Sequence, residues 1–588
     1  MSESYQAIII TEAHLMPKPV NPWGTGGWLP PQTREALDWV IMLRFMGWES
    51  FVVAQNLWDP AGLLPDSLKC IIVAIEPEKV QAEFMNQLLH VINTRPVLCL
   101  IQAGNKSTAL FQCLGISVLE EKISGRKVVS NPDPSLFARS CRSEIYTRKL
   151  AMPRTAEVWA QLDQEPLLIC LKHGAGRIVS FGFQASESRD WDGAFTALLR
   201  HTIIYGSKAP VAWLNWENTL VLRMDDPGSS ETVYHEIYTC NKLGSEEWAA
   251  IGRELQKRKA KITLGYVSGW VDDGNPARGQ LTVNGKPIER IPGKVHPSPH
   301  VKYGVDKEKA QTKLYDYESE FQGIQKLRQT GLAEVELHGY THIHPEKETW
   351  LAAPDQYTNQ SWYREFGRSS VEYLRNIPAH DHPLNKAIAT FEQFFQSQPV
   401  ALICPGEEFT NDIVVYAQQL GLSVISSYYL AIRINNRFCW TQHVCAPYLD
   451  LAASEWFDAG LPVVGYFHDF DIAERGVNWF SQCLDAWQHA GAKHIFDLKE
   501  LAARTRLNLK IQATDHNVRL DIYGDKSPSL AYPLEIMIRL ADSGEIPASN
   551  LKLCIGREQE QWVSLESYSS HIASLTIQPG QINEALIL

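Results

Sequence analysis

The chain has 588 residues, too many for one hydrophobic core, and typical domain sizes divide it into about three or four folding units. Its apolar content of 45% and charged content of 21% are ordinary for a folded protein, while a net charge of −12 argues against nucleic acid or an anionic membrane surface as the main partner. No run of about 18 or more apolar residues occurs, which excludes a helical membrane span. Eleven scattered cysteines without a Cys-x-x-Cys pair read as reduced thiols in a cytoplasmic protein.

Near the start, Gln6–Thr11 is apolar and follows no basic segment, so it reads as a first strand rather than an export signal. Cys70–Ile75 and Pro96–Gln102 read as further short buried strands, with helical patterns at Pro31–Phe45 and Pro77–Asn93 between them. Buried strands alternating with helices imply an α/β unit over residues 1–210, its parallel sheet covered on both faces. Leu167–Gly182 adds a hairpin around a Gly-rich turn. This order is similar to class I glutamine-amidotransferase-like domains, and the resemblance implies a flavodoxin- or amidotransferase-like sheet. The nucleophilic cysteine of that family sits on a Gly-flanked elbow. Cys99 instead lies in the strand Leu98–Ile101 without glycines, and reads as core packing. A binding role, or homo-oligomerisation through this domain, fits better than a second active site.

After the linker Tyr205–Pro210, the apolar run Asn218–Met224 ends at Asp225 and Asp226 and is followed at once by the turn Pro227-Gly228. Such an acidic pair stands at a strand's C-terminal end, where α/β folds place their chemistry. A helix at Glu246–Arg258 and a strand at Ile262–Tyr266 come next. The polar, Gly- and Pro-containing excursion Ser268–Lys309 then reads as either disorder or a loop covering the substrate. Two histidines four apart, His338 and His342, can be brought to one face by a helix or a tight turn. Alone, an Asp-Asp pair more often caps a turn and a His-x-x-x-His more often is chance. Together in one domain, a carboxylate and two imidazoles can hold Zn2+ or another divalent transition metal, with an open position for the water to be activated. His344 offers a rival pairing and reads as lying behind the ligands or in solvent. Trp350, Tyr357, Trp362, Tyr363 and Phe366 form an aromatic cluster, mostly packing, with Trp362 a candidate platform for a sugar face. Further on, the buried strand Leu461–Phe467 ends in His468, with Asp469 and Asp471 placed to tune its pKa.

The paired aspartates, His338 to His342, and a strand ending in His468 resemble, in that order, the motifs of NodB-type polysaccharide deacetylases (carbohydrate esterase family 4). The likeness spans residues 211–505 and implies a deformed (β/α) barrel. It implies Asp225 as general base, Asp226, His338 and His342 as metal ligands, and His468 as general acid. The chain departs from the family at Ile403–Asp412. There the family's Arg-x-Pro-aromatic motif is met by Cys404, Pro405 and Glu407, so Arg223 or another cation must orient the base. Arg223, Pro405, Glu407, Trp362 and Asp469 are accordingly candidates for the substrate-facing wall.

After residue 506 the character changes. Leu507–Gln512, Val518–Tyr523, Leu534–Leu540, Leu551–Ile555, Trp562–Leu565 and Ala573–Ile577 read as six short strands, an accessory β-sandwich over 506–588. The expectation is a metal-dependent hydrolase that removes an N-acetyl or O-acyl group from a small-molecule or oligosaccharide substrate. The rivals are an inactive carbohydrate-binding or scaffolding protein, and a metal-dependent hydrolase of another small-molecule C–N bond.

Overall fold

The computed structural model describes residues 5–12, 31–102, 108–130, 138–183, 194–235, 240–304, 314–351, 360–434, 437–441, 445–446, 448–457, 459–513, 518–524, 530–540, 551–555, 559–563, 566–567 and 572–581. Tyr357, residues 305–309 of the excursion, and the end of the strand expected at 562–565 lie outside them. The chain is α/β, with several parallel and mixed sheets. No helix among the described residues is long and apolar enough to cross a membrane.

The first sheet has nine strands. Ser50–Ala54, Ala7–Thr11, Cys70–Val73, Leu98–Gln102 and Gly176–Phe181 run parallel, as the alternation of strands and helices requires. Both faces are covered. Ala7, Ile9, Cys70, Ile72, Leu98 and Leu100 enter one apolar cluster, while Ile8, Ile10, Ile71, Val73, Cys99 and Ile101 enter another, because successive side chains of a strand point to opposite faces. Cys99 is fully buried, and burial pushes its thiol well above the ordinary range. The expected hairpin over Leu167–Gly182 forms, Glu165–His173 pairing antiparallel with Gly176–Phe181, and the expectation of a parallel sheet is corrected in the strands beyond it. Glu165–His173, Glu157–Leu162, Ser117–Ser130 and Ala138–Ala151 continue it antiparallel, so the sheet is mixed.

The central sheet has ten strands. Thr219–Asp225 lies in its middle and is buried along its whole length. One edge pairs in parallel with Val463–His468, in a register that sets Arg223 opposite Tyr466 and Asp225 opposite His468. The other edge is shared by His494–Phe496 along its first half and Ile262–Tyr266 along its second. Beyond Ile262–Tyr266 follow Ala333–Leu337, Ala401–Ile403 and Val424–Ser426, all parallel. An antiparallel pair, Leu430–Ile434 and Arg437–Thr441, completes that side. Among the described residues this ladder is an open path and not a closed barrel.

The excursion after Ser268 is folded, not irregular. Gly269–Val271 pairs with Val295–Pro297, and Gln280–Val283, Lys286–Ile288, Val301–Gly304 and Leu314–Asp316 form a second small sheet. Arg290 joins it internally, at 2.7 Å from Asp272 Oδ1 and 2.8 Å from Asp273 Oδ1. Trp270, Tyr303, Tyr315 and Tyr317 form its buried centre. Over its described residues the segment has its own core and ion pairs, so of its two readings disorder is ruled out.

Five of the six expected C-terminal strands form, Trp562 and Val563 of the remaining one close a strand that begins at Gln559, and they divide between two sheets. Leu507–Ala513, Val518–Gly524, Leu551–Ile555 and Gln559–Val563 make one. Leu534–Arg539 and Ile572–Ile577 join the other, between the outer strands Glu566–Ser567 and Val211–Leu214, the latter from the head of the central region.

Candidate metal centre

The parallel register brings the C-terminal ends of four strands together. The 219–225 strand ends in Asp225 and Asp226, and a positive φ of 76° at Asp226 turns the chain sharply there. His338 follows Ala333–Leu337, and its Nδ1 lies 3.1 Å from the Ile403 carbonyl at the end of the next strand. That bond holds the proton on Nδ1 and leaves Nε2 free to point at Asp226. His338 Nε2 is 3.0 Å and His342 Nε2 3.3 Å from the same Asp226 Oδ1, and all three residues are buried.

The two histidines converge on a turn rather than a helix. Gly339 and His342 both have positive φ, 71° and 66°. Glu365 holds the turn from beneath: its carboxylate accepts from Tyr340 N at 2.8 Å, Thr341 N at 3.1 Å, Thr341 Oγ1 at 2.9 Å and His342 N at 3.3 Å. A Cβ on Gly339 would stand 2.1 Å from Glu365 Oε2 and 2.7 Å from Pro405 Cγ, so only glycine fits. Burial pushes the Glu365 carboxyl up to about 7, against the lowering effect of those N–H groups.

These three donors suit a divalent transition metal. Among the described residues they form a cluster whose ligand atoms lie within 4.8 Å of one another. Tetrahedral zinc with bonds of about 2.0–2.1 Å needs ligand atoms roughly 3.3 Å apart, close to the 3.0 and 3.3 Å observed. His342 Nδ1 is buried without a hydrogen bond, and Glu231 Oε2 is 4.0 Å away. Burial depresses the His342 imidazole to about 3, which keeps it neutral. Burial would raise the Asp226 carboxyl, but the neighbouring imidazoles, His338 first, with His342 and His468, hold it well below the usual range.

Asp225 stands beside this cluster, 1% exposed. Its Oδ2 accepts from Arg223 Nη2 at 2.7 Å, while Oδ1 is buried without a hydrogen bond. Arg223 sits two residues earlier on the same face of the strand. Its Nη1 donates to Ser426 Oγ at 2.8 Å, its Nη2 also contacts Glu407 Oε1, and Tyr466 lies 4.5 Å beneath its guanidinium. Arg223 is the cation in contact with Asp225, and Glu407, in a turn after Ala401–Ile403, faces it from the Ile403–Asp412 stretch. Burial drives the Glu407 carboxyl upward and Arg223 draws it back.

His468 ends its strand a quarter exposed, with Nδ1 3.5 Å from Asp471 Oδ2. Burial lowers its pKa, but Asp471, Asp226 and Asp225 together raise it to about 10, so it carries a proton at neutral pH. Asp469 turns the other way and pairs with the buried Lys242, which also lies 3.1 Å from Glu320. Trp362, at 1% exposure, packs against His235 and Tyr363 and offers no open ring face. Tyr363 instead stacks over His342 with ring centroids 6.1 Å apart. His344 is buried, not solvent exposed, and its Nδ1 accepts from Glu346 N at 3.1 Å. Sequence reasoning missed Glu231, Lys242, Glu320 and Glu365. Of these only Glu365 had a signal, as an acid inside the aromatic run Trp362–Phe366.

No family model and no curated protein matches the chain. Among solved structures it is similar to a candidate polysaccharide deacetylase from Mycobacterium smegmatis, at 10% identity over 51% of this chain and 93% of that one, with a TM-score of 0.30. It is also similar to BA3943, a CE4 family pseudoenzyme from Bacillus anthracis, at 10% identity over 49% of this chain and 66% of that one, TM-score 0.25. A third likeness is to the exo-β-1,4-mannosidase Op5Man5 from Opitutaceae bacterium strain TAV5, at 15% identity and TM-score 0.24. There the match covers 33% of this chain and 35% of the mannosidase, about a third of each. The functional reading rests on the site's own geometry.

Proposed function

We propose that the chain is a metal-dependent hydrolase that removes an N-acetyl or O-acyl group from a sugar-containing substrate, acting in the cytoplasm. The observation that carries this reading is the convergence of His338 Nε2 and His342 Nε2 on Asp226 Oδ1, directly beside a second aspartate whose Oδ1 is buried and unbonded. Asp226, His338 and His342 would hold zinc or another divalent transition metal. Such an ion, when bound, supplies a Lewis acid for the acyl carbonyl and brings the pKa of a coordinated water to about 7.

The rest is the work of the chain's own groups. Asp225 accepts the proton of the attacking water at Oδ1, because Arg223 fixes the opposite oxygen and so aims the free one. His468, protonated at neutral pH and level with Asp225 on the neighbouring strand, donates its proton to the leaving nitrogen or oxygen. Arg223, Tyr466 and Glu407 lie together beside Asp225, with Pro405 close to Gly339. Residues 1–210 and 506–588 serve in this reading as a binding or assembly domain and an accessory β-structure around a NodB-like centre.

Elemental analysis and a deacetylation assay on N-acetylated oligosaccharides test this together. Wild type should carry about one transition metal per chain and release acetate. His338→Ala should lose both, and Asp225→Asn should keep the metal while losing turnover. Acetate release by Asp225→Asn would remove its role as base, and a metal-free wild type after supplementation would remove the reading as a whole.

A further inference from the structure

The strand Thr219–Asp225 ends at the metal-site candidate, and its other end begins beside a half-open cavity of about 400 Å3. At about 3.3 Å per residue the two places are roughly 20 Å apart. Walls of this cavity come from all three stretches of the sequence: Ile204 of the helix Ala194–Gly206, Phe457 ahead of the strand Val463–His468, and Met537 and Ile572 of the C-terminal strands. These residues and Ala197 give it an apolar side, and His201, Asn218 and Ser454 add polar groups.

One cation reaches into the cavity. Arg200 is 8% exposed, its Nη2 is buried without a hydrogen bond, and among the described residues no ion pair holds its guanidinium. Glu217, on the same cavity, acts on it only through space. The backbone makes room for this arrangement at Gly460, where a Cβ would stand 2.3 Å from Arg200 Nη1 and 2.8 Å from Cζ. Trp213 supplies a second donor that is buried without a partner, its Nε1, on the same cavity. A buried guanidinium is costly unless an anion meets it, and a planar two-donor fork matches a carboxylate.

We infer that this cavity binds a small organic monocarboxylate with an apolar or aromatic body, the carboxylate resting on Arg200. Its volume is near the lower end of ligand pockets, about 300–1,000 Å3, which suits a single-ring molecule and not a sugar chain. A dianion such as phosphate would meet a single buried arginine, Arg200, with the Glu217 carboxylate acting on it, so the monoanion is favoured. The site is independent of the proposed hydrolase reading, because it shares no residue with the Asp225 and Asp226 centre.

The experiment is 19F NMR titration of the full-length protein with 4-fluorophenylacetate. Wild type should bind it saturably, Arg200→Met should bind at least tenfold more weakly, and His338→Ala should bind as wild type does. A measurement that needs no variant in the cavity accompanies it: in methyl-labelled wild type, the Met537 signal should shift with the same titration, while an equal concentration of inorganic phosphate leaves it unmoved. Absence of saturable binding by wild type, binding that survives Arg200→Met or needs His338, a static Met537 methyl, or a response to phosphate in place of the carboxylate would each overturn the assignment.

Discussion

Arg223 Nη2 lies 2.7 Å from Asp225 Oδ2, and the two residues sit on one face of one strand. The cation that orients the buried acid is therefore local in sequence, and Glu407, from a loop 184 residues later, closes on it from the other side. Removing the cation strands two buried carboxylates. Arg223→Met should cost about 3–5 kcal/mol of unfolding free energy and cut turnover while metal content stays at the wild-type level. The double variant with Glu407→Leu should lose less than the sum of the two single changes. Urea denaturation of the four proteins checks this, and strict additivity would show that the contact is not an energetic unit.

Glu365 supports the ligands without contacting the metal position. Its carboxylate accepts three backbone N–H groups of the turn that carries His342. In Glu365→Ala those donors are left in a dry interior and the turn loses its floor. Metal affinity should fall by about 10- to 100-fold, as when other supports of a ligand are removed. Competition with a chromophoric chelator measures it, and unchanged affinity would make Glu365 a packing residue.

His468→Gln should leave metal binding intact and lower turnover by roughly 10²–10⁴-fold. The loss should be smaller for substrates with a good leaving group, such as aryl acetates, which need no protonation. An equal loss on aryl acetates and on acetamides would argue for positioning instead of proton donation.

Glu336 gives a pH signature away from the site. It is 2% exposed and accepts Val400 N and Ala401 N, both at 2.8 Å, and burial raises its carboxyl to about 8. The folded state holds the neutral form. Its contribution is thus full below the unfolded value near 4.5 and is lost as pH rises through about 8. Glu336→Gln keeps an acceptor and removes the titration. The variant should gain on wild type by roughly 3–5 kcal/mol between pH 5 and pH 9, as read from denaturation midpoints. A constant difference across that range would place the carboxyl's pKa near its ordinary value.

Much of the site was legible because its signals are local. Asp225 and Asp226 end an apolar run before Pro227-Gly228, His338 and His342 are four apart, and His468 ends a second apolar strand. What the sequence hid depends on distance or on mixed patterns. Ser117–Ser130 has exposed residues such as Glu120, Glu121 and Lys122 in a row, which masks the period of two, so this strand and its antiparallel neighbours beyond the 167–182 hairpin were missed. The excursion after Ser268 folds through strands of three or four residues, too short for any periodicity. Nothing near Lys242 announces that it will neutralise Asp469, 227 residues away.

The pairing of Val211–Leu214 with Leu534–Arg539 affects how the protein is made. Asn215 meets its partner Glu535 only 320 residues later. At about 5–20 residues per second, a ribosome takes roughly 15–65 s to supply that partner strand. For all that time the apolar strand Val211–Leu214, just ahead of the central sheet in sequence, is without the partner strand it has in the folded chain, available to chaperones or to the same strand on a neighbouring nascent chain. Cutting the gene after residue 505 would leave Val211–Leu214 permanently without Leu534–Arg539, its partner strand.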